Sequence, residues 1–334
     1  MAAAADTVWG SGSSPYRRSA FADIVGGAPL FRRGGFRYVV RSTNRIAYCR
    51  ANHNDSGRAG APVGQQGGTA APDGSVSVHR EDAALVLTLD RPQRRNSLSH
   101  MMIDELVTAL TAAATDDSLR VVHIRGAGGD FCTGADWVAT NTAGQRPRTG
   151  DLVRRIPHGA NRVVELVHTL HLPVVCSVQG WAVGLGCNLA LAADFTVAGT
   201  DAVFWEPFVE RGFAPDSGAS WLLPRLVGLA RTKRMLLLGE KVSGAEAAEW
   251  GLIHDSVPGD EVAAAADRLV ARLAAGPTVA IGLAKQAVHQ ALHTPLAQAM
   301  TQELFNVELS CRTADFKEGL AAFRDKRDPD FQGR

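Results

Sequence analysis

Two apolar runs that break into glycines organise this chain. The first is VVHIRGAGGDFCTGADW, residues 121–137. Its apolar start at 121–124 predicts a buried strand. Gly126, Gly128 and Gly129 then allow backbone conformations that other residues resist. Gly134-Ala135-Asp136 predicts the opening of a helix, with Asp136 placed to cap it. The second run is LPVVCSVQGWAVGLGCNLALAAD, residues 172–194. Pro173 opens a predicted strand at 174–178. Gly180, Gly184 and Gly186 break the chain, and the small apolar residues 187–193 predict a buried helix. The device is used twice, about fifty residues apart. A strand passing through glycines into a helix aims backbone N–H groups at one point. Two such junctions can give one N–H each to the same oxygen. Taken alone, either stretch is also readable as an ordinary tight strand-to-helix turn.

The remaining pattern fits around these runs. Residues 75–79 and 84–90 predict two short strands, the second ended by Arg91-Pro92. Asn96-Ser97-Leu98-Ser99 predicts a helix start, followed by Met102, Leu106, Ala109 and Leu110 at helical spacing. Residues 138–157 are polar and glycine-broken, which predicts a loop or weak helix beside a pocket. Helical periodicity returns at 160–170, and a further strand is predicted at 195–198. Residues 203–213 and 221–226 frame a Pro215-Asp216-Ser217-Gly218 turn. Short helices are predicted at 231–238 and 243–250. The second carries the capping-box pair Ser243 and Glu246. A helix at 262–275 is broken by Gly276-Pro277, and three more follow. Strands alternating with helices, then helices alone, argue an α/β core with a helical tail.

Residues 1–74 differ from the rest. They are rich in Gly, Ala, Ser and Arg and poor in periodic apolar positions. Such a composition buries too little surface to offset chain entropy, which predicts a disordered tail. Upstream sequence translated from a mis-set start, a natural flexible tail and an Arg-rich transit peptide are the three readings. Composition bounds the rest. The chain has 334 residues, 46% hydrophobic and 21% charged, with formal net charge +1. No charge field or basic face with interleaved aromatics points to nucleic acid. No apolar run is long enough to span a bilayer. The five cysteines are scattered, without a C-x-x-C, so neither a disulfide framework nor a metal site is expected. A reducing cytoplasm follows. His168 and His171 read as exposed helix-end residues.

The two glycine-broken stretches, in this order, resemble the paired signatures of the crotonase superfamily, the enoyl-CoA hydratase/isomerase family. The resemblance continues through LDRPQRRNSL (89–98), FWEPFVERGFAPDSGASWLLPRLVG (204–228) and DFKEGLAAFRDKRDPDF (315–331). It spans the chain from about Ser75 onward. It implies an α/β spiral of ββα units with a C-terminal helical subdomain. The expected parts are a tail at 1–74, a core with a CoA-thioester site at 75–275, and a helical trimerisation subdomain at 276–334. It also implies a homotrimer or a dimer of trimers. Coenzyme A enters as part of the substrate, and no separate cofactor is expected.

The resemblance also places the site residue by residue. The two backbone N–H groups that polarise an acyl-CoA thioester carbonyl fall on Ala135 and Leu185. The two glutamates that hydratases of the family set across their substrate fall on Asn188 and Phe208. Neither is an acid or base at pH 7, so hydration by the usual route is not expected. Glu206 and Glu210 are offset from those positions and read as surface charges. Asp216 lies in the turn where some superfamily isomerases carry an aspartate, among them ring-epoxide phenylacetyl-CoA isomerases and certain enoyl-CoA isomerases. One carboxylate suffices for isomerisation, because it takes a proton at one carbon and returns it at another. The apolar neighbours Trp205, Phe208 and Phe213 are expected to raise its pKa. The alternative for Asp216 is a helix cap. A related dehalogenase uses such an aspartate with a histidine on the preceding helix; that position is Asn161 here, with His158 one turn away. The nucleotide end of the substrate is expected near Arg94, Asn96, Thr133, Gly134 and Asp136. Trp137, Gly184 and the two replaced positions line the acyl end. Phe323 and Lys326 of a neighbouring subunit reach the same site. A CoA-thioester isomerase is the leading expectation. A hydratase without the usual glutamates and a non-catalytic acyl-CoA-binding module are the alternatives.

Overall fold

The computed structural model describes residues 73–136 and 149–334, together with the backbone of three short strands at 24–25, 28–33 and 36–39. The chain divides into two units, Met1–Gly67 and Gly68–Arg334. In the first, β1 (Ile24–Val25), β2 (Ala28–Arg33) and β3 (Phe36–Val39) form an antiparallel sheet in sequence order. The sequence pattern had singled out no strand in this stretch. The signal lies in the glycine pairs at 26–27 and 34–35, each set between partners Val25↔Ala28 and Arg33↔Phe36. Two-residue glycine connections are a hairpin signature.

The second unit starts its sheet at Ser75, as the pattern predicts. Strands β4 (Ser75–Glu81) and β5 (Ala84–Asp90) form an antiparallel hairpin. Then β6 (Val121–Gly126), β7 (Val174–Val178), β8 (Trp181–Val183), β9 (Phe195–Gly199), β10 (Val203–Trp205), β11 (Val242–Ser243) and β12 (Asp255–Val257) divide between two sheets. The larger has the order β12-β9-β7-β6-β5-β4 and is parallel from β5 to β12. The smaller has the order β11-β10-β8. In the successive units β7-β8 and β9-β10 the first strand enters the larger sheet and the second the smaller before a helix follows, which is the expected ββα repeat.

The helices cover both faces of the larger sheet. Helices α1 (His100–Ala113), α2 (Asp151–Arg155), α3 (Ala160–Thr169), α4 (Leu185–Ala192) and α5 (Ala219–Leu238) precede α6 (Gly244–Trp250) and α7 (Val262–Ala274). The tail helices are α8 (Thr278–Ala291), α9 (Leu296–Ser310) and α10 (Ala314–Asp325). Strand alternation sorts the side chains. Val122, Ile124, Val174, Cys176 and Val178 join the main core with α1, α3 and α4. Val121 and Val175 turn the other way, toward Ala266 of α7. A parallel sheet covered on both faces needs such near-continuous apolar strands.

Local signals fix the ends. Ser99 caps α1 by accepting from the Met102 N–H. Ser243 and Glu246 form the expected capping box of α6. The segment 221–226 and the helix expected at 231–238 run together as α5, with Pro224 inside and a non-helical Gly228 at φ 71° marking the join. The tail helices do not separate as a unit of their own. Lys285 of α8 donates to Asp194 Oδ2 at 2.7 Å and to the Val167 and Leu172 carbonyls at 3.2 Å. His168, expected to be exposed, is half-buried and stacks on His289 of α8 at 3.9 Å. The reason is this docking of α8, which covers the end of α3.

A chain beginning at Ser75 is expected to fold to the same melting temperature as the full-length protein, because the sheet and core of the second unit start there. Differential scanning calorimetry of the two chains checks this. A truncated chain that melts several degrees lower overturns it.

Candidate active site

The two glycine-broken stretches run side by side. Beyond β6, the Phe131 N–H donates to the Gln179 carbonyl at 2.8 Å and the Cys132 N–H to Trp181 at 2.9 Å. The Val183 N–H returns a bond to the Cys132 carbonyl at 2.9 Å. Leu98 closes the other side, through bonds of 2.8 Å to Gly134 and 2.9 Å from Asp136. These bonds fix Ala135 without using its N–H, which has no protein acceptor among the described residues. Leu185 is the first residue of α4, so its N–H has no partner within the helix. The approach of the two is set by Gly134, at φ 87°. A methyl group there would lie 2.7 Å from the Val183 carbonyl and 3.4 Å from the Leu185 nitrogen. Only glycine lets the two backbones come this close.

Ala135 and Leu185 line one cavity of about 380 Å³, with Thr133, Gly134, Asp136, Gly184, Phe208 and Asp216 among its other walls. That volume lies within the range of small-molecule sites. The Asp216 carboxylate accepts from the Ser217 hydroxyl at 2.8 Å. Burial raises it above the usual carboxylate range, and the Ser217 bond partly offsets this. Asp216 is not the cap of α5. That position is Gly218, and it makes no side-chain cap. Phe208 and Phe213 meet edge to face at 5.4 Å and line the cavity, as expected for the neighbours of Asp216. Trp205 does not line it; its indole N–H donates to the Gly239 carbonyl at 2.9 Å.

The remaining expected residues fall into three groups. Asp136 pairs with Arg91 at 2.7 Å, with side chains only 8% and 5% exposed, and so braces the turn beneath Ala135. Asn96 is fully buried, with its amide engaged by the Arg91 N–H and by the Ala127 and Asp130 carbonyls. It holds the 91–96 turn against the end of β6. Arg94 is exposed and, like Asn188, Phe323 and Lys326, stands outside the cavity wall. Asn188 is buried behind that wall, where its Nδ2 donates to the Asp216 carbonyl at 3.5 Å. Phe323 and Lys326 lie at the end of α10, with Phe323 exposed. Trp137 lies outside the described residues. His158 lines the cavity, whereas Asn161 is exposed and does not.

One carboxyl differs from its sequence reading. Glu206 is not a surface charge: it is 0% exposed. The signal was the strand period carried one residue past β10, which puts Glu206 in step with the fully buried Phe204. Glu210 is exposed, as expected.

A two-sheet ββα spiral, with a cradle made where two glycine-broken turns meet, is the crotonase fold. The crystal structure of an enoyl-CoA hydratase from a Polaromonas species superposes with a TM-score of 0.73 at 30% identity, covering 78% of this chain and 100% of that one. The family described as enoyl-CoA hydratase/isomerase matches residues 79–334, and the chain belongs to it. The 1,2-epoxyphenylacetyl-CoA isomerase of Escherichia coli is 38% identical over 258 residues, which cover 77% of this chain and 97% of that protein. The 2,3-dehydroadipyl-CoA hydratase of the same organism is 35% identical over 257 residues, 77% and 98% of the two chains.

Proposed function

We propose that this protein is an acyl-CoA isomerase that works through a thioester enolate, with Asp216 as its single proton shuttle. The supporting observation is the placement of Asp216, Ala135 and Leu185 on one cavity, with no glutamate at either hydratase position. The Ala135 and Leu185 N–H groups receive the thioester oxygen, and its charge grows as a proton leaves the α-carbon. Such a donor pair is worth most when it meets the developing oxyanion in a site closed to water. Asp216 takes that proton and returns it at another carbon. Its raised pKa brings its proton affinity nearer to that of working pH. Phe208 and Phe213 suit a flat acyl group, since aromatic faces and edges pack on planar rings.

The nucleotide end of the substrate lies along Arg94, Thr133 and the Gly134–Asp136 turn, with Asn96 as the brace of that turn. Phe323 and Lys326 act from a neighbouring subunit. A homo-oligomer is supported by the tail helices. Leu296, Met300, Leu304 and Phe305 of α9 are more than half exposed, and α9 buries no residue in the single chain. Trimers or pairs of trimers are the reading carried from the family. The cytoplasm is the proposed location. Among the described residues no helix is long and apolar enough to cross a membrane.

The test is a turnover screen on enoyl-, dienoyl- and aryl-acetyl-CoA thioesters, run beside calorimetric binding to the same set. Isomerised product from at least one thioester is expected. Binding without turnover across the set would instead make the protein an acyl-CoA-binding module.

A further inference from the structure

Asp216 is held at two points. Its main-chain carbonyl accepts from the Ala219 N–H at 3.1 Å and from Asn188 Nδ2 at 3.5 Å. Its side chain is held by another residue: the Ser217 hydroxyl donates to Oδ1 at 2.8 Å. The second carboxylate oxygen, Oδ2, makes no hydrogen bond among the described residues. Ser217 is 4% exposed and lines the cavity beside Asp216. Its backbone is left-handed, at φ 52°, and Gly218 follows at φ 88°. Serine is strained in that conformation, which glycine adopts freely. Such strain persists where the surrounding structure over-determines it, and an observed case at a site points to a role there.

The hydroxyl is what serine adds at this position. Glycine would satisfy the backbone and leave Oδ1 without its donor. We propose that Ser217 is a positioning residue for Asp216: its left-handed backbone sets the hydroxyl on Oδ1, which fixes the plane of the carboxylate and leaves Oδ2 to take the proton. The inference rests on reading Asp216 as the proton shuttle. In that step the substrate C–H bond breaks, its electron pair enters the enolate, and the proton forms an O–H bond on Oδ2. An aspartate side chain turns about two bonds, and the contacts to its main chain restrain neither. A hydrogen bond to one oxygen removes that freedom before the substrate arrives, and orientation gained in advance lowers the barrier.

Exchange of the α-protons of phenylacetyl-CoA into D2O, followed by proton NMR with the full-length protein, reads proton removal without any isomerisation. Ser217→Ala is expected to lower the maximal exchange rate by about 10–10²-fold, the scale of misplacing a reacting group. The KM for the thioester should hold, at a pH where the wild-type rate has reached its plateau. Ser217→Gly is expected to lose as much activity, yet to melt above Ser217→Ala, because glycine accepts the left-handed backbone. A residue that merely shaped the turn gives the reverse, with glycine keeping the wild-type rate. A wild-type rate in Ser217→Gly therefore overturns the proposal, as does a change confined to KM. Asp216→Asn separates the two readings. If it abolishes exchange while Ser217→Ala leaves exchange intact, this inference alone fails. If exchange is absent from the wild type or survives Asp216→Asn, the shuttle reading fails and Ser217 has nothing to position.

Discussion

Asp216→Asn is expected to lower turnover by about 10²–10⁴-fold, the usual worth of a positioned proton-transfer group. Asparagine keeps the shape and the hydrogen bond to Ser217 but cannot accept a proton from carbon. Substrate affinity should hold, because the Ala135 and Leu185 N–H groups and the cavity walls are untouched. The pH dependence follows from the direction of the shift. Asp216 acts as a base only when ionised, so kcat/KM of the wild type falls as pH drops through its folded-state pKa. That fall begins at higher pH than for an ordinary carboxylate, because burial raises the group. Stability moves the opposite way. A carboxyl with a raised folded pKa gives stability below its unfolded pKa and loses it as pH rises through the folded value. Asparagine never ionises, so the variant should melt at or above the wild-type temperature at neutral pH. Steady-state kinetics across pH and thermal melts check both halves. Unchanged turnover, or a lower melting temperature accompanying the lost activity, would remove Asp216 from the proposed role.

Lys285→Met is expected to destabilise the fold by about 3–5 kcal/mol, the cost of leaving one half of a buried ion pair behind. Lys285 is 6% exposed in its side chain and Asp194 14%. Asp194 also accepts from the Val174 N–H at 2.8 Å, so the pair joins α8 to the start of β7. Burial raises Asp194 and lowers Lys285, in each case more than the attraction between them corrects. Desolvation therefore outweighs the gain from pairing, and the pair itself is no large source of stability. The damage comes from the orphaned carboxylate. Adding Asp194→Asn to Lys285→Met should recover much of the loss, since asparagine still accepts from Val174 and carries no charge. Urea unfolding of the three variants measures this. A loss below about 1 kcal/mol in the single variant would mean that α8 is held by other contacts, as for an exposed pair.

The legible parts of the molecule were those whose cause is local. Glycines at positive φ, the Ser243–Glu246 capping box and the apolar runs at β6 and β7 each act within a few residues. They located the turns that carry Ala135 and Leu185 without any knowledge of the sheet order. What escaped the sequence was set by distant contacts. Lys285 meets Asp194 across 91 positions, and nothing near either residue signals the other. His168 looks like a helix-end surface residue until α8 lies over it. Glu206 was misread for a different reason. Its offset from the two matched positions suggested a surface charge, while the period of the strand, visible through Phe204, already placed it inside. The roles of Arg94 and Asn96 show the same limit from the other side. Both belong to one short turn, yet one is exposed and the other is locked in by three backbone groups.

The order of the larger sheet also has a cost in time. Val122 of β6 waits for Val174, and Val197 of β9 waits for Asp255, so each parallel pair closes only after a long stretch of later chain has been made. Until then, β6 and β7 each keep one edge of a largely apolar strand unpaired. Long-range parallel pairing is slow to form and exposed to aggregation meanwhile. During synthesis the nascent chain passes through that state on every ribosome. The yield of folded protein from a cell is thus governed by how long those edges stay open. Cooler growth or a surplus of chaperone acts on that interval and leaves the finished molecule the same.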